Sequence, residues 1–170
     1  VQRAAVRDNR ERLRQGAEML SACLSAGRKI LVFGNGGSAA QAQHIAGEFV
    51  NRFRIVRPPL AALALTADSA VLTSIANDGD FEEVFAQQVR AFGRRGDVAW
   101  GISTSGRSRN VVRACRTARE HGLATIGMTG RGGPLADGAD LAFTVASDVT
   151  ARIQEAHLTL AHILCELVER

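Results

Sequence analysis

The chain has 170 residues, enough for one domain with a substantial core, and its 46% hydrophobic and 22% charged content is that of an ordinary globular protein. A net charge of +4 and an isoelectric point near 9.7 raise nucleic acid as a partner. However, the basic residues are nearly all arginines scattered along the chain, tyrosine is absent and no basic run is interleaved with aromatics, so the charge reads as a solvated surface. Cys23, Cys115 and Cys165 are too widely spaced for a thiolate zinc site, no apolar run is long enough to cross a bilayer, and Val1–Arg14 is too charged for a secretory leader; the expectation is a soluble, cytoplasmic protein with reduced, buried thiols.

Gln2–Ala26 reads as one amphipathic helix with Ala5, Leu13, Met19, Leu20, Cys23 and Leu24 on its apolar side, ended by Gly27. Its start has no capping residue, as expected of a chain that continues upstream. Lys29–Phe33 is a short strand, followed by Gly34-Asn35-Gly36-Gly37. Ser38 is the expected N-cap of a helix of about fifteen residues. Asn51–Arg57 is polar and ends in Pro58-Pro59, which stops any helix. Leu60–Leu65 is a second strand, Ser69–Ala76 a short helix, Asn77-Asp78-Gly79-Asp80 a turn, and Phe81–Phe92 a helix. Asp97–Ile102 is a third strand and leads into Ser103-Thr104-Ser105-Gly106-Arg107-Ser108. A helix from Arg109 to His121, a strand at Leu123–Met128, a loop at Thr129–Gly133, a strand at Asp140–Val145 and a closing helix at Thr150–Glu169 complete the chain.

Short apolar strands alternating with helices predict an α/β fold with a five-stranded parallel sheet covered on both faces, a Rossmann-like three-layer arrangement. Residues 1–27 would pack as an N-terminal helix on an α/β core of residues 28–170, the whole forming a single domain. Ligands of such sheets bind beyond the carboxyl ends of the strands, where both special loops lie.

The first loop formally satisfies G-x-G-x-x-A through Gly34, Gly36 and Ala39. The dinucleotide fingerprint also requires an acidic residue about 20 positions on. Asp68 comes too late and Arg54–Arg57 occupies the place, so phosphate or sugar contact is the better reading. The second loop combines three serines, a threonine and the amides of a helix start, a neutral cradle for a phosphate monoester. On the helix after the first loop, His44 and Glu48 lie four apart and so on one face, placed to share a metal or divide acid–base work. The closing helix carries Gln154, His157 and His162. Gln154 and His162 are eight apart, about 12 Å along a straight helix, so their meeting at one atom needs reaching side chains, a kink or a second subunit.

The segments GNGGSAAQAQHIAGEF at Gly34–Phe49, IANDGDFEEVF at Ile75–Phe85, GDVAWGISTSGRS at Gly96–Ser108 and RIQEAHLTLAHILCELV at Arg152–Val168 resemble the sugar isomerase (SIS) domain family, and within it the bacterial phosphoheptose isomerases. The resemblance spans essentially the whole chain. It implies a ketose–aldose isomerisation, sedoheptulose 7-phosphate to D-glycero-D-manno-heptose 7-phosphate through an enediol, the entry to heptose biosynthesis. By that resemblance Ser103, Thr104, Ser105 and Ser108 hold the phosphate. Asn35, Gly36, Gly37, Asn77 and Asp78 contact the sugar, together with Glu48 and Gln154. His44, Glu48, Gln154 and His162 ligate one zinc ion per subunit, and Glu48 and His162 are the acid–base pair. The resemblance further implies a homotetramer with active sites between subunits. Arg107 departs from the family, which commonly has asparagine there.

The rival reading is a non-catalytic SIS protein that binds the bacterial replication initiator; NRFRIVRPPLAALALTADSAVLTSIAND resembles that branch equally well. That branch lacks the helical glutamate and the final histidine, whereas Glu48 and His162 are both present here. A sugar-phosphate sensor is a third class, but such modules usually accompany a DNA-binding domain, and none is expected within these 170 residues.

Overall fold

The computed structural model describes all residues from Val1 to Arg170. Five strands, β1 (Ile30–Gly34), β2 (Ala62–Ala64), β3 (Val98–Ser103), β4 (Ala124–Thr129) and β5 (Leu141–Thr144), form one sheet in the order β2-β1-β3-β4-β5. All neighbours are parallel. The central strands are buried along their whole length on both faces, which is why they read as unbroken apolar runs. Successive residues of β1 serve opposite cores: Ile30 and Val32 face one, Leu31 and Phe33 the other.

The first core is closed by α1 (Gln2–Asp8), α2 (Arg10–Ser25), α3 (Gly37–Val50) and α8 (Thr150–Val168). Trp100, Phe49, Phe143 and Leu20 fill it. The second core lies under α5 (Ala86–Phe92), α6 (Arg109–Glu120) and α7 (Pro134–Gly138), with Leu72 and Ile75 of α4 (Ser69–Asp78) packed at its edge. Cys23, Cys115 and Cys165 are free and buried, and desolvation pushes their thiols up, Cys23 to about 11 and the other two to about 12.

Four local expectations are corrected. The single N-terminal helix is two, broken at Asn9, because the Asn9 amide donates to both Ala5 O and Thr144 O at 2.8 Å and is only 1% exposed. Gly36, not Ser38, caps α3. Gly36 turns the chain at φ +53°, a region that favours glycine, and Ser38 is buried inside the first helical turn. Asn77 and Asp78 belong to the end of α4, whose first turn is capped by the Asp68 carboxylate accepting from Val71 N; Gly79 ends it. Phe81–Phe92 divides into a 3-10 turn at Phe81–Glu83, capped by Asp80, and α5.

The strand order reverses direction between β1 and β3. The crevice outside their carboxyl ends is therefore the place where a parallel sheet of this kind opens to a ligand. The glycine loop after β1 and the serine loop after β3 both empty into it.

Candidate active site

The two loops are joined side by side. The side-chain amides of Asn35 and Asn110 exchange two hydrogen bonds of 2.9 Å, and Asn110 Oδ1 also accepts from Val111 N. Asn110 is only 3% exposed, so this pair is a fixed clamp. The amides of Ser38, Ala39 and Ala40 are taken by the carbonyls of Asn35 and Gly36, which leaves the positive end of α3, not those three donors, facing outward.

The serine loop is held by its own hydroxyls. Ser103 Oγ donates to Ser108 Oγ at 2.9 Å and lies 3.3 Å from Ser105 Oγ, while Arg107 N donates to Ser105 Oγ at 3.1 Å. Gly106 sits at φ +66°, and a Cβ there would fall 1.9 Å from Gly132 O, so only glycine lets the loop pass under the β4 loop. Thr104, Ser105 and Arg107 line a cavity of about 320 Å³ completed by Gly132, Gly133 and Ser147. Arg131 in its wall is neutralised by Asp148, at 2.7 and 2.9 Å. Arg107 carries no ion pair. Larger hollows along the outer face of α6, about 600 and 580 Å³, have no such set of converging hydroxyls.

A second cluster forms where α3 crosses α8. His44 Nε2 lies 2.8 Å from His162 Nε2 and 3.1 Å from Glu48 Oε1. One ligand atom from each of the three residues falls within 4.8 Å of the others. Two imidazole nitrogens and a carboxylate oxygen are the donor types zinc prefers, and tetrahedral zinc ligands stand about 3.3 Å apart, so the set fits such an ion with small adjustments. The His44 side chain is 45% exposed and the group is open to solvent. Desolvation lowers the basicity of His162, and the charge of His44 lowers it further; Glu48 works the other way. The Phe53 ring stacks on His162 with centroids 5.1 Å apart.

Sequence-predicted residues therefore divide between the two clusters. His44, Glu48 and His162 meet, as do Ser103, Ser105 and Ser108, and Asn35 is tied to the helix that follows them through Asn110. Gln154 joins the loops: its carboxamide lies over Gly37, where a Cβ would come within 2.3 Å of Gln154 Nε2. Gly37 precedes His44 by two helical turns, about 10 Å along the axis. Asn77 and Asp78 are exposed at the end of α4, hydrogen-bonded to each other at 2.9 Å and outside both clusters. His157 is a core residue. It is 1% exposed, its Nε2 donates to Thr129 O at 3.0 Å, and its Nδ1 has no partner. Sequence reasoning misses Asn110, Phe53, Arg57 and Glu169. Only Glu169 leaves a trace there: it follows His162 by seven positions, on the same helix face.

The sequence model of the SIS domain family matches residues 1–130. Phosphoheptose isomerase from Thermodesulfovibrio yellowstonii is 55% identical over 164 residues, covering 96% of this chain and 82% of that protein. The solved phosphoheptose isomerase of Neisseria gonorrhoeae superposes with a TM-score of 0.93 at 45% identity, covering 98% of this chain and 90% of the other. That of Francisella tularensis superposes at 0.91 and 36%, covering 98% and 92%. At this identity the comparisons give the non-catalytic alternative no support. A five-stranded parallel sheet with a glycine loop and a serine loop at its switch point, matched over nearly its full length by these enzymes, makes the chain a member of the SIS domain family and, within it, a phosphoheptose isomerase-type sugar-phosphate isomerase.

Proposed function

We propose that this isomerase converts sedoheptulose 7-phosphate to D-glycero-D-manno-heptose 7-phosphate, the first step of heptose biosynthesis, in the cytoplasm and as a single SIS domain of residues 1–170. The convergence of His44, Glu48 and His162 from two helices carries this reading. Moving a carbonyl between adjacent carbons requires a base to take the C1 proton and return it at C2, and an acid to protonate one oxygen while the other is deprotonated. Glu48 is the base and His162 the acid. Ser103, Thr104, Ser105 and Ser108 hold the phosphate, with Arg107 adding positive charge at the rim. Asn35, Gly36, Gly37, Asn77, Asp78 and Gln154 orient the sugar. Phosphate binding supplies remote energy that fixes the reacting end in place.

His44, Glu48, Gln154 and His162 would hold zinc. When bound, it supplies Lewis-acid polarisation of the carbonyl. Gln154 lies over Gly37 at the start of α3, while His44 and Glu48 lie further along it, which supports a site completed by residues of more than one subunit. The resemblance implies a homotetramer, and Val50, Ile55 and Val56, exposed at 46%, 48% and 85%, are apolar side chains that such an interface could cover.

The test is turnover of sedoheptulose 7-phosphate by chelator-stripped protein, before and after zinc is restored, beside His44→Ala. Conversion that returns with zinc, and reduced zinc content in His44→Ala, are expected. Binding of the sugar phosphate without conversion at any zinc level would overturn the enzyme assignment for this substrate.

A further inference from the structure

Near the carboxyl end of the chain one carboxylate gathers the segment that follows α3. Glu169 Oε1 accepts from Phe53 N at 2.8 Å and from Arg57 Nε at 3.0 Å, and Oε2 accepts from Arg54 N at 2.8 Å and Ile55 N at 3.2 Å. Its side chain is 3% exposed, as little as a core residue. Burial opposes its charge, but the amides of Phe53, Arg54 and Ile55 and the Arg57 guanidinium outweigh burial and draw the carboxyl down to about 2.

Apart from Glu169, the segment is tied down by Leu60 N donating to Phe49 O at 3.1 Å and by an exposed Arg54–Glu166 pair at 3.1 Å. Residues 51–61 form neither helix nor strand. Yet two of its residues, Phe53 and Arg57, touch the histidine cluster. Phe53, whose amide is bound by Glu169, stacks on His162. Arg57, whose Nε is bound by Glu169, reaches back to α3: Nη2 donates to Glu48 O at 2.9 Å and Nη1 to Phe49 O at 2.8 Å. These are carbonyls of the last helical turn, which lack partners within the helix; Phe49 O also accepts from Leu60 N at 3.1 Å, and a cation there complements the helix end. Glu169 lies two turns beyond His162 on the same face of α8. One side chain thus fastens the helix bearing His162 to the helix bearing His44 and Glu48, and seats an aromatic ring on the imidazole.

We infer that Glu169 is a positioning residue that sets the His44–Glu48–His162 geometry, acting through Phe53 on His162 and through Arg57 on the end of α3. It touches none of the reacting atoms. The inference about geometry stands on the contacts above; its consequence for turnover rests on the function proposed for the cluster.

Glu169→Gln keeps the shape and removes the charge that holds three amides and a guanidinium at once. Its effect is read first on protein free of substrate and metal, from the ring resonances of His162, which lie in the ring current of Phe53. Phe53→Leu supplies the reference position with the ring removed. In Glu169→Gln the His162 signals should move toward that reference. Zinc affinity should fall 10- to 100-fold, the usual effect of losing a group that orients a ligand. In turnover kcat should fall about tenfold with KM within twofold, because the serine loop lies at the other end of α3. Arg57→Lys, which keeps a cation beside Glu169 but gives up the fork to the Glu48 and Phe49 carbonyls, should lower zinc affinity and kcat with smaller changes at His162; it takes over as the deciding variant if Glu169→Gln does not fold. Unmoved His162 resonances with wild-type zinc affinity in folded Glu169→Gln overturn the inference, as does a KM change without a kcat change. A wild-type protein that fails to isomerise the heptose phosphate overturns the proposed reaction and leaves the resonance test standing.

Discussion

Replacing His157 by leucine should invert the pH order of stability between the variant and the native chain. In the fold His157 is neutral, its Nε2 proton bound to Thr129 O and its buried Nδ1 without a partner. Burial lowers its basicity, with the bond to Thr129 opposing, from 6.5 to about 4. The sign follows directly. Because the folded state prefers the neutral ring, His157 contributes its full stability above pH 6.5. That contribution is lost as pH falls from 6.5 toward 4, since the unfolded chain takes up the proton first. Linkage across these values gives about 2.5 kcal/mol lost between pH 7.5 and 4.5. Leucine removes this term. It also removes one hydrogen bond, a loss of about 1 kcal/mol, but Thr129 O keeps its bond from Val145 N at 3.1 Å and no polar atom is left orphaned. Urea titrations at pH 7.5 should therefore find His157→Leu equal or weaker by about 1 kcal/mol. At pH 4.5 it should be the more stable of the two. Turnover at pH 7.5 should remain within about threefold. Parallel stability curves across this range would refute the argument, and so would a large loss of turnover in a stable variant, which would place His157 in the chemistry.

Two further outcomes test the clusters separately. Glu48→Gln should lower kcat by a factor of about 1,000, within the range for a lost general base, while the melting temperature and the affinity for inorganic phosphate stay near those of the native chain; near-normal turnover would remove Glu48 as the base. Gly106→Ala forces a left-handed backbone on alanine, which alone costs about 1–2 kcal/mol, and puts its Cβ 1.9 Å from Gly132 O. The serine loop must shift, so calorimetric titration with phosphate should show at least a tenfold loss; unchanged affinity would mean the phosphate binds elsewhere.

The strands were legible because a parallel sheet buried on both faces leaves runs such as Ile30–Phe33 with no polar position. The serine loop was legible because its chemistry is local: the hydroxyls of Ser103, Ser105 and Ser108 bond one another and nearby amides within the loop. His44 and Glu48 were legible as a pair because four residues make one helical turn, and His162 joined them only by resemblance. The break at Asn9 was hidden because its amide answers to Thr144, 135 positions away. The cap of α3 was misread because Ser38 has the right chemistry for a cap, whereas the turn is made one step earlier by the left-handed Gly36. The Asn35–Asn110 clamp and the Glu169 network were illegible for the same reason as Asn9: each joins groups whose separation in sequence carries no periodic signal.

What the amino-acid order determined by itself is everything governed by near neighbours: apolar runs, helical faces, glycine turns and a hydroxyl loop, and through them a parallel α/β sheet with ligand loops at its carboxyl edge. Only the tertiary structure decided which polar groups meet. It brought His162 against His44 across 118 positions and laid Gln154 over Gly37. It also buried His157 in a core and placed Glu169 behind the cluster. Short-range propensities act over one or two turns of backbone. The pairing of buried donors and acceptors is settled only when the helices dock and each such group must find a partner.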